Sequence, residues 1–202
     1  MSEDSVESGP GNEPLRARPV RADAQRNLDA LLEAAMEVFA TSGADAPVRE
    51  IAVKAGVGVG TLYRHFPQRS DLIVAVFQRE VGACADAGPI LAADYEPVEA
   101  VAKWLERFTG FIATKRGLAT ALHSGDPAYD ALPSYFQSRL VPALSSLLET
   151  ASAAGEIRAD VGAEELLSAV ASLCMHAYKQ GPDHARRMVG LLVDGLRYGA
   201  KP

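Results

Sequence analysis

Between residues 28 and 39, apolar side chains recur at three- and four-residue steps. Leu28, Leu31, Leu32, Ala35, Val38 and Phe39 form the set, and Asp29, Glu33 and Glu37 fall outside it. That period predicts an amphipathic α-helix with one stripe turned to a core. The helical pattern begins near Asp23 and stops at Thr41-Ser42-Gly43, where glycine tolerates the left-handed conformation that ends a helix. "APVREIAVKAG" predicts a short second helix, opened by Pro47, with Ile51 and Ala52 inward, Ala55 supporting packing and Gly56 closing it. The next stretch, "GVGVGTLYRHF" (residues 56–66), is less obvious because three glycines alternate with valines. At 100° per residue, Leu62 and Phe66 point together with Val59 beside them, while Gly60 and Arg64 point the opposite way. Tyr63 flanks one edge of that outer face, and Thr61 and His65 flank the other. A long helix is then read over "SDLIVAVFQREVGACADAG" (residues 70–88), with Ser70 its expected N-cap and Asp71 placed for the helix dipole. Helical patterns return over residues 96–117, 133–154, 162–180 and 183–199, and "HSGDPAYDALP" (residues 123–133) reads as a loop or broken helix. The fold class predicted is all-α.

Composition supports that reading and charge sharpens it. Hydrophobic residues are 48% and charged residues 23% of the 202, as in ordinary globular proteins. No apolar run approaches the roughly 18 residues of a membrane span, and the acidic start "MSEDSVESGPGNEP" has no apolar h-region, so no signal peptide is expected. Cys84 and Cys174 fit small buried apolar roles better than a disulfide framework or a metal site, which predicts a cytoplasmic location. The net charge of −6 argues against a nucleic-acid partner until it is resolved along the chain. Residues 16–69 carry eight Arg or Lys against six Asp or Glu, whereas both flanking segments are acidic. A local basic footprint therefore coincides with the glycine-rich stretch.

The glycines of residues 56–60 do not make a phosphate loop. A dinucleotide fingerprint needs a preceding strand, and a Walker-type loop needs a lysine and then Ser or Thr after its last glycine. Here a helix precedes them and Thr61-Leu62 follows. Helix, tight turn and helix make a helix-turn-helix, and its second helix has the side-chain distribution of a recognition helix. Gly60 allows close approach to a groove, Arg64 suits guanine edges or a phosphate, and Thr61, Tyr63 and His65 supply donors for phosphate oxygens. Gly58 is a weaker N-cap than Ser by a few tenths (~0.3 kcal/mol).

At this point the chain resembles a known family. "IAVKAGVGVGTLYRHFPQRSDLIVAVF" (residues 51–77) resembles the DNA-binding signature of the tetracycline-repressor (TetR) family of bacterial transcription regulators, and "LLEAAMEVFATSGADAPVREIA" extends the likeness upstream. Ile51, Ala52, Ala55, Gly56, Val57, Gly60, Thr61, Leu62, Tyr63, His65, Phe66, Leu72 and Val76 fall in register with it. Family members commonly have Ser where this chain has Gly58. The resemblance implies that Thr61, Tyr63 and His65 contact the DNA backbone and that Gly60 and Arg64 face bases, with Val59 at the same helix start. It further implies a phosphate contact by Arg69, with Arg49 and Lys54 as nearby helpers. The expected organisation is an N-terminal arm over residues 1–21, a three-helix DNA-binding domain over 22–68, and a larger helical regulatory and dimerisation domain over 69–202. Residues 1–14 read as disordered. The arginines of "LRARPVRADAQRN" form either a solvated arm or one that lies along DNA.

In the larger half, wide apolar faces on the last two helices include Leu166, Val170, Leu173, Leu191, Leu192 and Leu196. They serve either the core of one subunit or a homodimer interface, the latter implied by the family. Trp104, Phe108, Phe111, His123, Tyr135, Phe136, Met175 and Tyr178 make either a core or the lining of a site for a small apolar or aromatic effector. No nucleophile–base pair, nucleotide loop or metal cluster is recognisable, so neither an enzyme nor a cofactor is expected. The sequence thus predicts a ligand-responsive dimeric repressor bound to a palindromic double-stranded operator. A DNA-binding regulator without a ligand is the alternative.

Overall fold

The computed structural model describes residues 17–177 and 181–198, and the side chains of these except 17–22, 175–177 and 182. The expectations for residues 1–14, for Tyr178 and for the Met175 side chain therefore lie outside what is described. The helices are α1 (Ala17–Ser42), α2 (Val48–Lys54), α3 (Val59–His65), α4 (Arg69–Asp94), α5 (Pro97–Gly117), α6 (Ala119–Leu122), α7 (Leu132–Ala153), α8 (Ala163–Ala177) and α9 (Pro182–Arg197), with a 3₁₀ turn at Pro127–Tyr129. Among the described residues there is no strand, and no helix is long and apolar enough to cross a membrane.

The first three helices pack around Leu31, Phe39, Ile51 and Leu62, all fully or almost fully buried. Gly43, at φ 80°, ends α1, and Gly56, at φ 69°, ends α2. After α2 the Val57 N–H donates to the Ala52 carbonyl and the Gly56 N–H to that of Val53, a Schellman closure that aims the chain into α3. The start of α3 is bare, because Gly58 is its N-cap and has no side chain to offer.

Three boundaries differ from the sequence-based expectation. The first helix begins at Ala17, ahead of Asp23 and inside the arm expected over residues 1–21. The fourth helix is capped at Gln68, whose N–H donates to the Asp71 carboxylate at 2.8 Å, and Ser70 is buried inside the first turn. A carboxylate three residues in satisfies a free N–H as well as a hydroxyl at the cap does, so the helix starts earlier. The same helix also continues through Pro89 to Asp94. Proline removes one backbone bond and typically costs about 3 kcal/mol in a helix interior. Packing against α7 and α5 offsets that here. Gly88 lies so close to Ala143 and the Trp104 indole that a Cβ on it would meet both at 3.8 Å, and Leu91 beyond the proline packs on the core.

The larger half is organised around α5, which touches α1, α4, α7, α8 and α9. Trp104, Leu105 and Phe108 are fully buried there, and Trp104 and Phe108 stack with ring centroids 5.8 Å apart. Glu156 accepts a hydrogen bond from the Val98 N–H at 2.9 Å and so satisfies an otherwise free donor at the start of α5. Burial pushes the Cys84 thiol up to about 12, and Cys174 is shifted up for the same reason, so both behave as apolar core groups.

The two halves join where α5 ends. Gly117 abuts the backbone of Phe39 and Ala40 so closely that a Cβ on it would overlap the Phe39 carbonyl. Gly110, earlier in the same helix, has open space at the same test. Gly117→Ala is therefore expected to destabilise the protein by about 1–3 kcal/mol, as overpacking does. Gly110→Ala should be neutral or stabilising by up to about 1 kcal/mol. Urea unfolding of both variants checks this; equal midpoints would contradict the close crossing.

Candidate functional site

The exposed surface of α3 is built by what its other side must bury. Leu62 and Phe66 are fixed in the core, which turns Gly60, Tyr63 and Arg64 to solvent and leaves Val59, Thr61 and His65 at its edges. Tyr63 is 51% exposed, unusual for a large aromatic side chain, and its hydroxyl points away from any internal demand. Among the described residues, Arg49, Tyr63 and Arg64 make no ion pair or side-chain hydrogen bond. Gly60 meets nothing within 4 Å where a Cβ would stand, so the protein's own packing does not require glycine there. Lys54 is also exposed, but its ammonium pairs with Glu37 at 2.7 Å, which raises its pKa. That pair fastens the end of α2 to α1.

Arg69 is placed otherwise than the sequence predicted. Its guanidinium donates to the Ala44 carbonyl at 2.5 Å and also to that of Ala46, and it lies 6.0 Å from the centre of the Phe39 ring. Those two carbonyls belong to the turn between α1 and α2, and no backbone N–H among the described residues donates to them. A guanidinium with several fixed donors can serve both at once, so Arg69 braces the helix-turn-helix from inside instead of facing outward.

A second candidate site is a cavity of about 840 Å³ between α4, α5, α7 and the turn region after α6. Of the aromatic set read from the sequence, His123 and Phe136 line it. Trp104 and Phe108 are fully buried and lie behind the wall; Trp104 stacks on Phe108, and the Phe108 and Phe111 rings meet that of Phe136 at 6.1 and 5.8 Å. Phe111 borders a separate small crevice beside Cys84 and Glu80. Tyr135 is turned to α4, its hydroxyl 3.5 Å from the Gln78 carbonyl. The lining also includes Tyr129, another aromatic residue of the sequence pattern, and Phe77, Lys115 and Leu132, which pattern reading did not single out. Lys115 in particular reads in sequence as an ordinary basic residue in a last helical turn.

The apolar residues of α8 and α9 divide into two sets. Leu166, Val170 and Leu196 are buried within the subunit, together with Val189 and Val193, so they do not lie on an open face. Leu191 is 63% exposed, and Leu173 and Leu192 are half-buried. Helical spacing identifies an apolar stripe but not the surface against which it packs, which is why the two sets were merged.

Comparison with known proteins agrees with this architecture. Residues 31–76 match the family model for bacterial regulatory proteins of the tetR family, and residues 96–198 match that for the C-terminal domain of SbtR-like transcriptional regulators. The crystal structure of a TetR transcriptional regulator from Streptomyces coelicolor is 40% identical, covering 85% of this chain and 99% of that one, with a TM-score of 0.74. A TetR regulatory protein from Mycobacterium vanbaalenii is 34% identical over 89% of this chain and 99% of its own, with a TM-score of 0.69. HTH-type transcriptional regulators of Staphylococcus aureus are 40% identical over 63 residues, 31% of this chain, and the chain spans only 34% of their length. With both halves matched and a relative of 40% identity covered almost end to end, the chain belongs to the TetR family of transcriptional regulators.

Proposed function

We propose that the protein is a homodimeric repressor that holds a palindromic operator through α3 and releases it when a small molecule occupies the cavity beside α4. The observation that carries this reading is the outer face of α3, where Tyr63 and Arg64 are exposed beside a bare Gly60 and are spared from internal contacts. Tyr63, Thr61 and His65 would hold phosphates, and Arg64 would read a base edge or add a phosphate contact. Arg49 lies exposed on α2, close enough in sequence and position to help. Lys54 contributes charge only on top of its bond to Glu37.

Response to a ligand is supported by the path of α4. Phe77 lines the cavity, and Arg69 on the same helix braces the helix-turn-helix eight residues earlier, roughly 12 Å along the axis at the usual rise per residue. Arg79 adds a second tether from α4, donating to the Asp29 carbonyl of α1 at 2.7 Å. A ligand that displaces Phe77 would tilt α4 and with it the recognition helix. It loosens DNA only to the extent that it prefers the tilted state. One helix-turn-helix reads few base pairs, which favours two-fold pairing, and the exposed Leu191 on α9 offers a face for it.

Gly60→Leu is expected to fold at least as stably as the wild type, because the added side chain meets open space, yet to lose operator binding. Tyr63→Ala should weaken binding by about 1–3 kcal/mol, and Arg64→Ala should relax preference at one base position. Duplexes selected from a random library, titrated by fluorescence anisotropy, provide the check. Wild-type operator affinity in all three variants would remove α3 as the recognition helix.

Leu191→Glu should shift the protein to monomers at micromolar concentration while leaving its helical content unchanged. A carboxylate at an exposed position costs nothing in a free subunit, but burial in an interface without a partner costs several kcal/mol (about 3–5). Sedimentation velocity separates these cases, and an intact dimer in the variant would move the interface elsewhere.

A further inference from the structure

Lys115 sits in the last turn of α5 and is half-buried against the cavity, its ammonium 5.7 Å from the centre of the Phe136 ring. Elsewhere, Lys54 pairs with Glu37 and Lys103 with Glu99. Lys115 forms no ion pair among the described residues. Burial therefore holds its pKa below the ordinary lysine range, with no carboxylate to offset the loss of water. A poorly solvated cation on the wall of a mostly apolar space is a costly arrangement unless an anion arrives to complete it. The ring of Phe136 compensates only in part, as a cation–π contact at such a distance is weak.

The rest of the lining limits what that anion can be. Phe77, Leu132, Phe136 and Val141 offer an apolar body-sized space, and about 840 Å³ lies within the range of roughly 300–1,000 Å³ usual for small-molecule pockets. His123 gives its Nδ1 to the Ala119 carbonyl at 2.7 Å, which leaves Nε2 as its one nitrogen for a ligand. Glu164, at the start of α8, borders the same cavity and would repel a second negative charge. One cation and one opposing carboxylate suit a single negative charge on an apolar molecule, and Nε2 of the neutral imidazole is left as an acceptor for a hydroxyl or amide of the ligand.

We propose that the cavity takes an amphipathic monocarboxylate, its apolar body between Phe77, Leu132 and Phe136 and its carboxylate on Lys115. The inference rests on the reading of this cavity as the effector site and adds the chemical class of the effector. It adds one negative charge to the small apolar or aromatic effector that the sequence pattern favoured, because Lys115 was not legible there as a wall residue.

Calorimetry of the full-length protein with decanoate and with decanamide, its neutral counterpart, tests the assignment. Decanoate should bind the wild type at least about tenfold more tightly, the increment expected of a hydrogen bond to a charged group. Lys115→Met should abolish that preference while keeping decanamide binding, and Lys115→Arg should retain it. Lys115→Gln serves as a second neutral variant should the methionine fail to fold, with circular dichroism reporting on both. Equal binding of the two compounds to the wild type, or a preference that survives in a folded neutral variant, overturns the charge assignment and leaves the cavity reading intact. Binding of neither compound removes the cavity reading and this inference with it.

Discussion

Phe39 is where the two halves of the molecule meet, and the rest of the arrangement depends on how tightly it is held. Its ring is fully buried under the Arg69 guanidinium, and its carbonyl lies against Gly117 at the end of α5. Arg69 belongs to the first turn of α4, so one residue of α1 touches both helices that run into the larger half. Close-packed interiors transmit displacement instead of absorbing it. On the proposed function, a shift of α4 or of the end of α5 would reach the α1–α2 turn, and through it the outward face of α3. Glycine at position 117 is a consequence of this contact, not of any turn the backbone makes there.

The same contact explains an economy of charge. The helix-turn-helix is stabilised by Arg69 turned inward and by the Lys54–Glu37 pair, which leaves Arg49, Tyr63 and Arg64 unspent on the outside. An exposed pair such as Lys54–Glu37 contributes little to stability, because water and salt screen it, but it links the end of α2 to α1. Arg69 is better placed to contribute, since it satisfies two carbonyls that are removed from water. What the electrostatics of the motif provide is orientation of α3, and the free side chains on it provide the donors.

The outward face of α3 was legible because it follows from geometry alone: once Leu62 and Phe66 are assigned to the core, a 100° rotation per residue leaves no freedom for Gly60, Tyr63 and Arg64. The helices of the larger half were legible for the same reason, with starts and stops close to those observed. Arg69 was not. Its partners lie 23 and 25 residues earlier in the chain, and an arginine beside a DNA-binding motif carries no mark of which way it turns. The continuation of α4 past Pro89 was hidden because local propensity was outweighed by packing on Ala143 and Trp104. Leu166, Val170 and Leu196 were assigned to a partner surface because periodicity does not distinguish an inner face from an outer one. Lys115 shows the reverse case, a polar residue whose significance comes from burial that only the assembled helices create.

The account's central claim is a linkage between the cavity and α3, and one measurement addresses it directly. A compound that raises the melting temperature, and no longer does so when Phe136→Trp fills the cavity, is titrated against the protein with and without operator. Operator affinity is measured in parallel with and without saturating compound. The account predicts that operator binding weakens about five- to 150-fold and that the compound's own affinity falls by the same factor when operator is bound, because the coupling is reciprocal. Unchanged affinities on both arms would mean that the cavity and the recognition helix are energetically independent, and would contradict the account.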